Sequence, residues 1–344
     1  MPLARVTLAS IAAHTGLSKF AISRALSGKG GVSEQTRQRV IDAAKALGYS
    51  RPQTSVEARI ISVVFLDTDL VNSELHMLIQ SGVQHAAQKL GYQVNMRWTH
   101  LPDQIEAIAR TSHGMMLVGP HDRGSMNRAY ATGIPIVRVG WLDPLEPVDQ
   151  VSGTDHEAGA AVANYLVGLG HRSIVYVHGA PGYRGRIERW YGVREVLEGR
   201  PDVDFRQMRA PSETWFTEGL LALQAGGFKP TALFCGHDGM AVTVVSELLR
   251  LGYRIPEDIS VVGFGDYSSA TQISPHLTTV HVHGTEIGVA CVRLIDDRLT
   301  GRIESGLAMR IQIASKIISR ASSGPAPAVA VARGLPDAPL VAGA

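Results

Sequence analysis

Residues 7–49 read TLASIAAHTGLSKFAISRALSGKGGVSEQTRQRVIDAAKALGY, and the order of their caps, glycines and apolar positions decides the first part of the fold. Thr7 stands where it can cap a helix over 8–14, with Leu8, Ile11 and Ala12 on the inner face. Gly16 then supplies the positive φ that a sharp turn requires. Ser18 is placed to cap a second helix over 19–26, buried through Ile22 and Leu26. Ser33 caps a third over 34–47, with Val40, Ile41, Ala44 and Leu47 inward, and Gly48 ends it. Two short helices joined through a glycine-containing turn make a helix-turn-helix.

In that motif the start of the second helix enters the major groove of DNA. Its outward residues here are Lys19, Phe20, Ser23 and Arg24. Arg24 can donate two hydrogen bonds to a guanine, and Phe20 can touch a thymine methyl. Thr7, Ser18, Ser33 and Arg37 are placed for phosphates, which orient the protein without reading sequence. Charge points the same way. Residues 1–59 hold nine Lys and Arg against three Asp and Glu, a net of +6; the rest holds 24 against 28, a net of −4 within a total of +2. A small basic module on a mildly acidic body is the footprint of a nucleic-acid reader. The competing reading, three amphipathic helices that never meet DNA, explains neither the charge nor the repeated cap-turn-cap spacing.

The stretch VTLASIAAHTGLSKFAISRALSGKGGVSEQTRQRVIDAAKALGYSRP resembles the headpiece of the lactose-repressor (LacI/GalR) family. The matching elements are VTL-x-x-IA, Gly16, Ser18, Ser23-Arg24, VS-x-x-TR at 32–37, and AA-x-x-LGY ending at Tyr49. The resemblance implies that Lys19, Phe20 and Arg24 read bases. In the family a hinge follows, forming a helix on DNA and wedging a leucine into the minor groove, which bends the duplex. Here the linker at 51–59 is several residues shorter and has no leucine, so Val56 is the one sizeable apolar wedge. A domain over 1–50 and a shortened hinge over 51–59 are therefore expected.

From residue 60 onward, β-branched runs alternate with amphipathic segments. Strands are predicted at 60–66, 92–98, 114–118, 134–139, 173–178, 231–235 and 260–264. Helices are predicted at 74–90, 103–110, 124–132, 156–168, 186–197, 213–224, 239–251 and 285–299. Such alternation makes parallel sheets covered by helices, and the series is too long for one small sheet. An α/β body of two lobes over 60–320 follows, with a ligand cleft at the C-terminal ends of its strands.

The resemblance extends through SGTDHEAGAAVANYLVGLGHRSIVYVHG, RWYG, TALFCGHDGMAV, GYRIPEDISVVGFGD and SPHLTTV, covering nearly all of residues 3–318. It implies a type I effector domain similar to the periplasmic sugar-binding fold, its lobes exchanging two crossings of the chain. It also implies that Asp155, Arg189 and Asp238 face the cleft, Arg189 offering a fork for two hydroxyls or a carboxylate. Asp155 and Asp238 are equally placed to cap the helices that follow them. Two positions depart: His237 replaces a usual asparagine, and Gly265 replaces the first of two usual aspartates. Losing that carboxylate removes a ligand acceptor and argues against a simple neutral sugar.

Composition excludes other classes. No run of eighteen apolar residues occurs and the N-terminus does not read as a signal peptide, so a cytoplasmic protein without membrane contact is expected. Cys235 and Cys291 lie far apart in apolar runs and read as reduced core residues. The thirteen histidines show no metal spacing; His281 and His283 alternate along an apparent strand. No P-loop, GxGxxG after a strand, or nucleophile beside a base is present, so neither cofactor nor catalysis is expected. The tail at 321–344, rich in Ala, Pro and Gly without heptads, predicts disorder and a homodimer rather than a tetramer. The reading is a repressor that binds a near-palindromic operator in double-stranded DNA and answers to a small effector, a sugar or sugar derivative. A transport binding protein and an enzyme using the same cleft are the rivals, and a decayed sensor on a constitutive DNA binder is a third.

Overall fold

The computed structural model describes residues 7–26, 31–49, 59–179, 181–209, 215–304 and 306–333, and divides into two compact units, Met1–Glu57 and Ala58–Ala344. The linker at 51–58, and Val56 with it, lies outside the described residues.

The first unit has three helices, α1 (Leu8–Thr15), α2 (Lys19–Leu26) and α3 (Glu34–Ala46). Each cap expected from the sequence is formed. Thr7 closes a reciprocal capping box with Ser10, the Ala21 amide donates to Ser18 Oγ at 3.2 Å, and the Thr36 amide donates to Ser33 Oγ at 3.2 Å. Gly16, at φ +72°, ends α1 in the left-handed region that a residue with Cβ enters at a cost. Ile11, Ile22, Ala25, Val40, Ala43 and Ala44 form the core, closed by Leu8, Leu17, Leu26 and Tyr49.

The second unit runs β1 (Ile60–Phe65), α4 (Ser73–Leu90), β2 (Gln93–Trp98), α5 (Pro102–Arg110), β3 (Gly114–Val118), α6 (Arg123–Tyr130), β4 (Ile136–Val139) and β5 (Asp149–Gly153). It continues α7 (Asp155–Gly168), β6 (Ser173–Val177), α8 (Arg184–Leu197), β7 (Asp204–Met208), α9 (Trp215–Ala225), β8 (Ala232–Cys235), α10 (Asp238–Arg250) and β9 (Ser260–Val262). It ends α11 (Ser269–Gln272), β10 (Thr279–His281), α12 (Gly284–Leu299), β11 (Arg310–Ile313) and β12 (Lys316–Ile318). The first lobe is a parallel sheet in the order β11-β5-β4-β3-β1-β2, the second a parallel sheet in the order β7-β6-β8-β9, with β10 and β12 antiparallel beside it. The two parallel sheets and their covering helices are the two-lobed architecture expected.

Two expectations are corrected. The chain crosses between lobes three times, not twice: after β5 into α7, after β10 into α12, and between β11 and β12. The third crossing arises because β11 joins the first sheet beside β5 while β12 pairs with β10. The tail, predicted disordered from 321, is packed through 333. Val261 donates its amide to Ser322 O at 2.8 Å, Ala326 donates to Leu169 O at 2.8 Å, and Arg333 pairs with buried Asp258 at 2.8 Å. A composition without periodicity hid a strap held by backbone bonds, by the hydroxyls of Ser322 and Ser323 and by an ion pair.

Each lobe is stapled by a helix pair in reciprocal glycine contact. A Cβ on Gly82 would sit 1.9 Å from Thr285 O, and one on Gly288 2.2 Å from Ile79 O, so α4 and α12 touch backbone to backbone. In the second lobe a Cβ on Gly159 would meet Arg189 O at 2.1 Å, and one on Gly192 would meet His156 O at 2.0 Å. Backbone cannot yield as a flexible side chain does, so Gly192→Ala should destabilise the body by about 2–3 kcal/mol despite alanine's better helix propensity. Gly168→Ala, with nothing within 4 Å of the new Cβ, is the control and should be neutral or slightly stabilising. Thermal melts compare them, and equal melting temperatures would refute the close-packing account.

Candidate functional site: an interlobe cleft and a recognition helix

Loops at the C-terminal ends of strands from both sheets enclose a cleft of about 460 Å³. On the second-lobe wall Arg189 Nε donates to Asp155 Oδ1 at 2.8 Å, and its guanidinium also donates to Gly236 O. The same guanidinium lies 3.4 Å from the Phe264 ring centroid. Ring face, carbonyl and carboxylate therefore fix the fork at the cleft surface. His237 caps α10, its Nδ1 accepting from the Met240 amide at 3.3 Å. Burial, then Arg186 and Arg189, lower its pKa to about 4, so the ring is neutral at pH 7. Burial, then Arg189, also lowers Arg186 to about 10, which leaves it charged.

The structure thus brings Asp155, Arg189 and His237 together on the cleft, but not Asp238. That carboxylate is fully buried, accepting from Thr279 Oγ1 at 2.6 Å and the Tyr267 amide at 2.8 Å. Burial raises its pKa, and its work is to hold the loop after β9. Capping also falls to His237 rather than to Asp238. Gly265 has a structural reason: its φ is +131°, and a Cβ would lie 2.4 Å from the Tyr267 ring. That ring lines the cleft.

The first-lobe wall was not read from the sequence. Asp69 is buried and accepts from Asn72 Nδ2 at 2.9 Å, with His76 Nε2 at 3.5 Å. Across the cleft, Tyr183 of the second lobe donates its hydroxyl to Asp69 at 3.0 Å. Burial would raise Asp69, but the bonds from His76, Asn72 and Tyr183 hold it below the ordinary carboxylate value. Two further ties cross the opening. Ser268 donates its amide and hydroxyl to Glu74 at 2.7 and 2.9 Å, and the Arg184 guanidinium lies 4.8 Å from the Trp141 ring centroid. His281 and His283 lie at a crossing with rings 4.5 Å apart, His281 bonded to Asp266 at 2.9 Å.

In the first unit, Lys19, Phe20 and Ser23 are exposed on α2, Phe20 at 69%. The Arg24 guanidinium lies 5.3 Å from the Phe20 ring centroid, so the two share one outward surface. Thr7, Ser18 and Ser33 use their oxygens as acceptors in the caps, and a hydroxyl so used keeps its hydrogen to donate elsewhere. Arg37 is half-buried beside Glu34 at 3.7 Å.

Residues 7–52 match the family described as bacterial regulatory proteins, lacI family, and residues 163–323 match the periplasmic binding protein-like domain. The chain is 30% identical over 319 residues to the HTH-type transcriptional regulator MalR of Streptomyces coelicolor, covering 86% of this chain and 90% of that protein. It belongs to the lacI family. Its members are DNA-binding transcriptional regulators, not enzymes. Among solved structures, the lac repressor dimer bound to operator and an anti-inducer superposes with TM-score 0.68 at 20% identity, covering 93% of this chain and 99% of that one. A complex of the regulator CelR with cellobiose gives TM-score 0.66 at 24% identity, covering 92% and 100%. Among the described residues no helix is long and apolar enough to cross a membrane.

Proposed function

We propose that this lacI-family regulator is a repressor that binds a near-palindromic operator as a homodimer and is controlled by a sugar or sugar derivative in the interlobe cleft. The observation that carries the effector reading is the second-lobe wall of Asp155, Arg189, His237 and Tyr183, fixed and partly exposed, facing Asp69 across the opening. Such paired polar groups around aromatic faces suit a polyhydroxylated ligand that touches both lobes. A ligand held by both walls shifts the lobe equilibrium by its differential affinity, which links the cleft to the spacing of two headpieces. The solved CelR relative carries cellobiose, which favours the same class.

The dimer is supported by an apolar groove beside the edge strand β11, between α4 and α12, lined by Ala86, Val289, Ile303, Met309 and Ile311. A second copy would cover it and that sheet edge together. On DNA, we assign base reading to Lys19, Phe20 and Arg24, with Ser23 beside them. Phosphate binding falls to Thr7, Ser18, Ser33 and Arg37.

The test is selection of genomic fragments by the purified chain at near-physiological salt, with and without sugars. Recovery of a near-palindromic motif whose binding changes with one sugar supports the reading. Recovery of sequence-blind, salt-sensitive binding alone refutes it. Arg189→Ala should weaken that sugar by roughly 10- to 100-fold, since charge-assisted hydrogen bonds disappear, read by calorimetry. Unchanged affinity would remove Arg189 from the site.

A further inference from the structure

Deep in the first-lobe wall the cleft is lined by an arginine and a histidine that no part of the reading above uses. Arg138 stands in β4 within an otherwise apolar run and is 2% exposed. Its Nη1 lies 3.5 Å from Glu146 Oε1 and donates to Met126 Sδ, while Tyr130 donates its hydroxyl to Glu146 at 2.6 Å. Glu146 balances the charge, yet the Arg138 Nε–H has no hydrogen-bond partner. His121, 5% exposed, lines the same cavity. Its Nε2 is 3.3 Å from Val64 O, a carbonyl that can only accept, so Nε2 carries the proton and Nδ1 is a bare acceptor. That Nδ1 is likewise buried without a partner. Burial, with the charge of Arg138 adding to it, lowers His121 to about 4, so the acceptor persists at neutral pH.

One unmet donor and one unmet acceptor, both more than nine-tenths buried on one cavity wall, are groups that native proteins pair with a ligand or an ordered water. We propose that Arg138 and His121 form an inner subsite of the cleft that takes a hydroxyl group of the effector, accepting from Arg138 Nε–H and donating to His121 Nδ1. The chemistry selects against alternatives. A carboxylate would set a lone pair against Nδ1, an ammonium would meet the guanidinium, and a methylene would leave both groups unmet. The subsite rests on the assignment of a hydroxylated effector made above and adds its point of contact on the first lobe.

The experiment uses the full chain labelled with ¹⁵N-histidine and titrated with D-glucose, D-ribose, cellobiose and D-gluconate. His237 reports occupancy at the second-lobe wall and His121 at the inner subsite. Both resonances should move with a bound probe, the His121 Nδ1 signal in the direction of hydrogen-bond acceptance. Arg138→Met should then weaken that probe by about 10- to 100-fold. If that variant does not fold because Glu146 is left buried, His121→Phe keeps the Arg138–Glu146 pair and should weaken binding by a similar factor. His237 moving alone, or both variants binding as the parent does, overturns the subsite and leaves the hydroxylated effector standing. Neither resonance moving with any probe overturns the effector assignment and the subsite with it.

Discussion

Arg24→Ala should erase the preference for operator over random DNA while leaving the headpiece folded. A bidentate arginine–guanine pair discriminates by about 1–3 kcal/mol, and the proposed dimer would make it twice, so operator affinity should fall by roughly 30- to 3 × 10⁴-fold. The fold should survive because α2 is held by Ile22 and Ala25, whereas Arg24 lies on the outward face near Phe20. Salt dependence separates base reading from phosphate binding. Removing a base-reading side chain leaves the slope of log affinity against log salt nearly intact, whereas Arg37→Ala should lower it by about 0.9 for each phosphate that is no longer neutralised. Gel-shift competition between the selected operator and a scrambled duplex reads both quantities. An unchanged preference in Arg24→Ala would sink the assignment of α2 as the recognition helix.

What was legible in the sequence follows how local the determining interaction is. The headpiece could be read closely because Thr7, Gly16, Ser18 and Ser33 act on amides within a few residues of themselves. The body's hydrophobic strands were legible for the same reason, but β5, β7, β11 and β12 were not. Two of them, β7 and β11, are edge strands whose alternation is mostly solvent-facing. In β5 the polar start is excused by a distant partner, since Asp149 takes two bonds from Arg298 at 2.7 and 2.8 Å. Asp155, Arg189 and His237 were found through resemblance. Asp238 was misread because its partner Thr279 lies 41 residues onward, which no local pattern displays. Of the first-lobe wall only Arg138 carried a signal, a lone guanidinium inside IPIVRVG. Asp69 and His121 become site residues only when the loops after β1 and β3 are brought together by strand order.

The same buried histidines should make the body acid-labile above the range where carboxylates titrate. His121, His178 and His237 each have a pKa lowered from 6.5 to about 4, chiefly by burial, with Arg138 adding at the first, Arg209 at the second, and Arg186 and Arg189 at the third. His171 is lowered too, by burial. In each the unfolded chain takes up a proton that the folded chain refuses. Stability is therefore flat above about pH 6.5, falls as pH drops toward 4, and levels off below. Three such groups give a slope of about 4 kcal/mol per pH unit at most, and roughly 6 kcal/mol is lost by pH 5. That is comparable with the whole stability of an ordinary domain, about 5–15 kcal/mol. Asp69 and Asp258, whose pKa values are lowered, act in the opposite sense of titration and weaken the fold only below about pH 4. All four tryptophans, Trp98, Trp141, Trp190 and Trp215, lie in the body, so urea unfolding followed by tryptophan fluorescence reads this unit alone. The midpoint should hold between pH 8 and 7 and drop steeply from 6.5 to 5, and His178→Gln should shallow that drop by about a third. A midpoint that stays level down to pH 5 would mean these rings reach solvent and titrate normally. The neutral acceptor assigned to His121 would then be lost near pH 6.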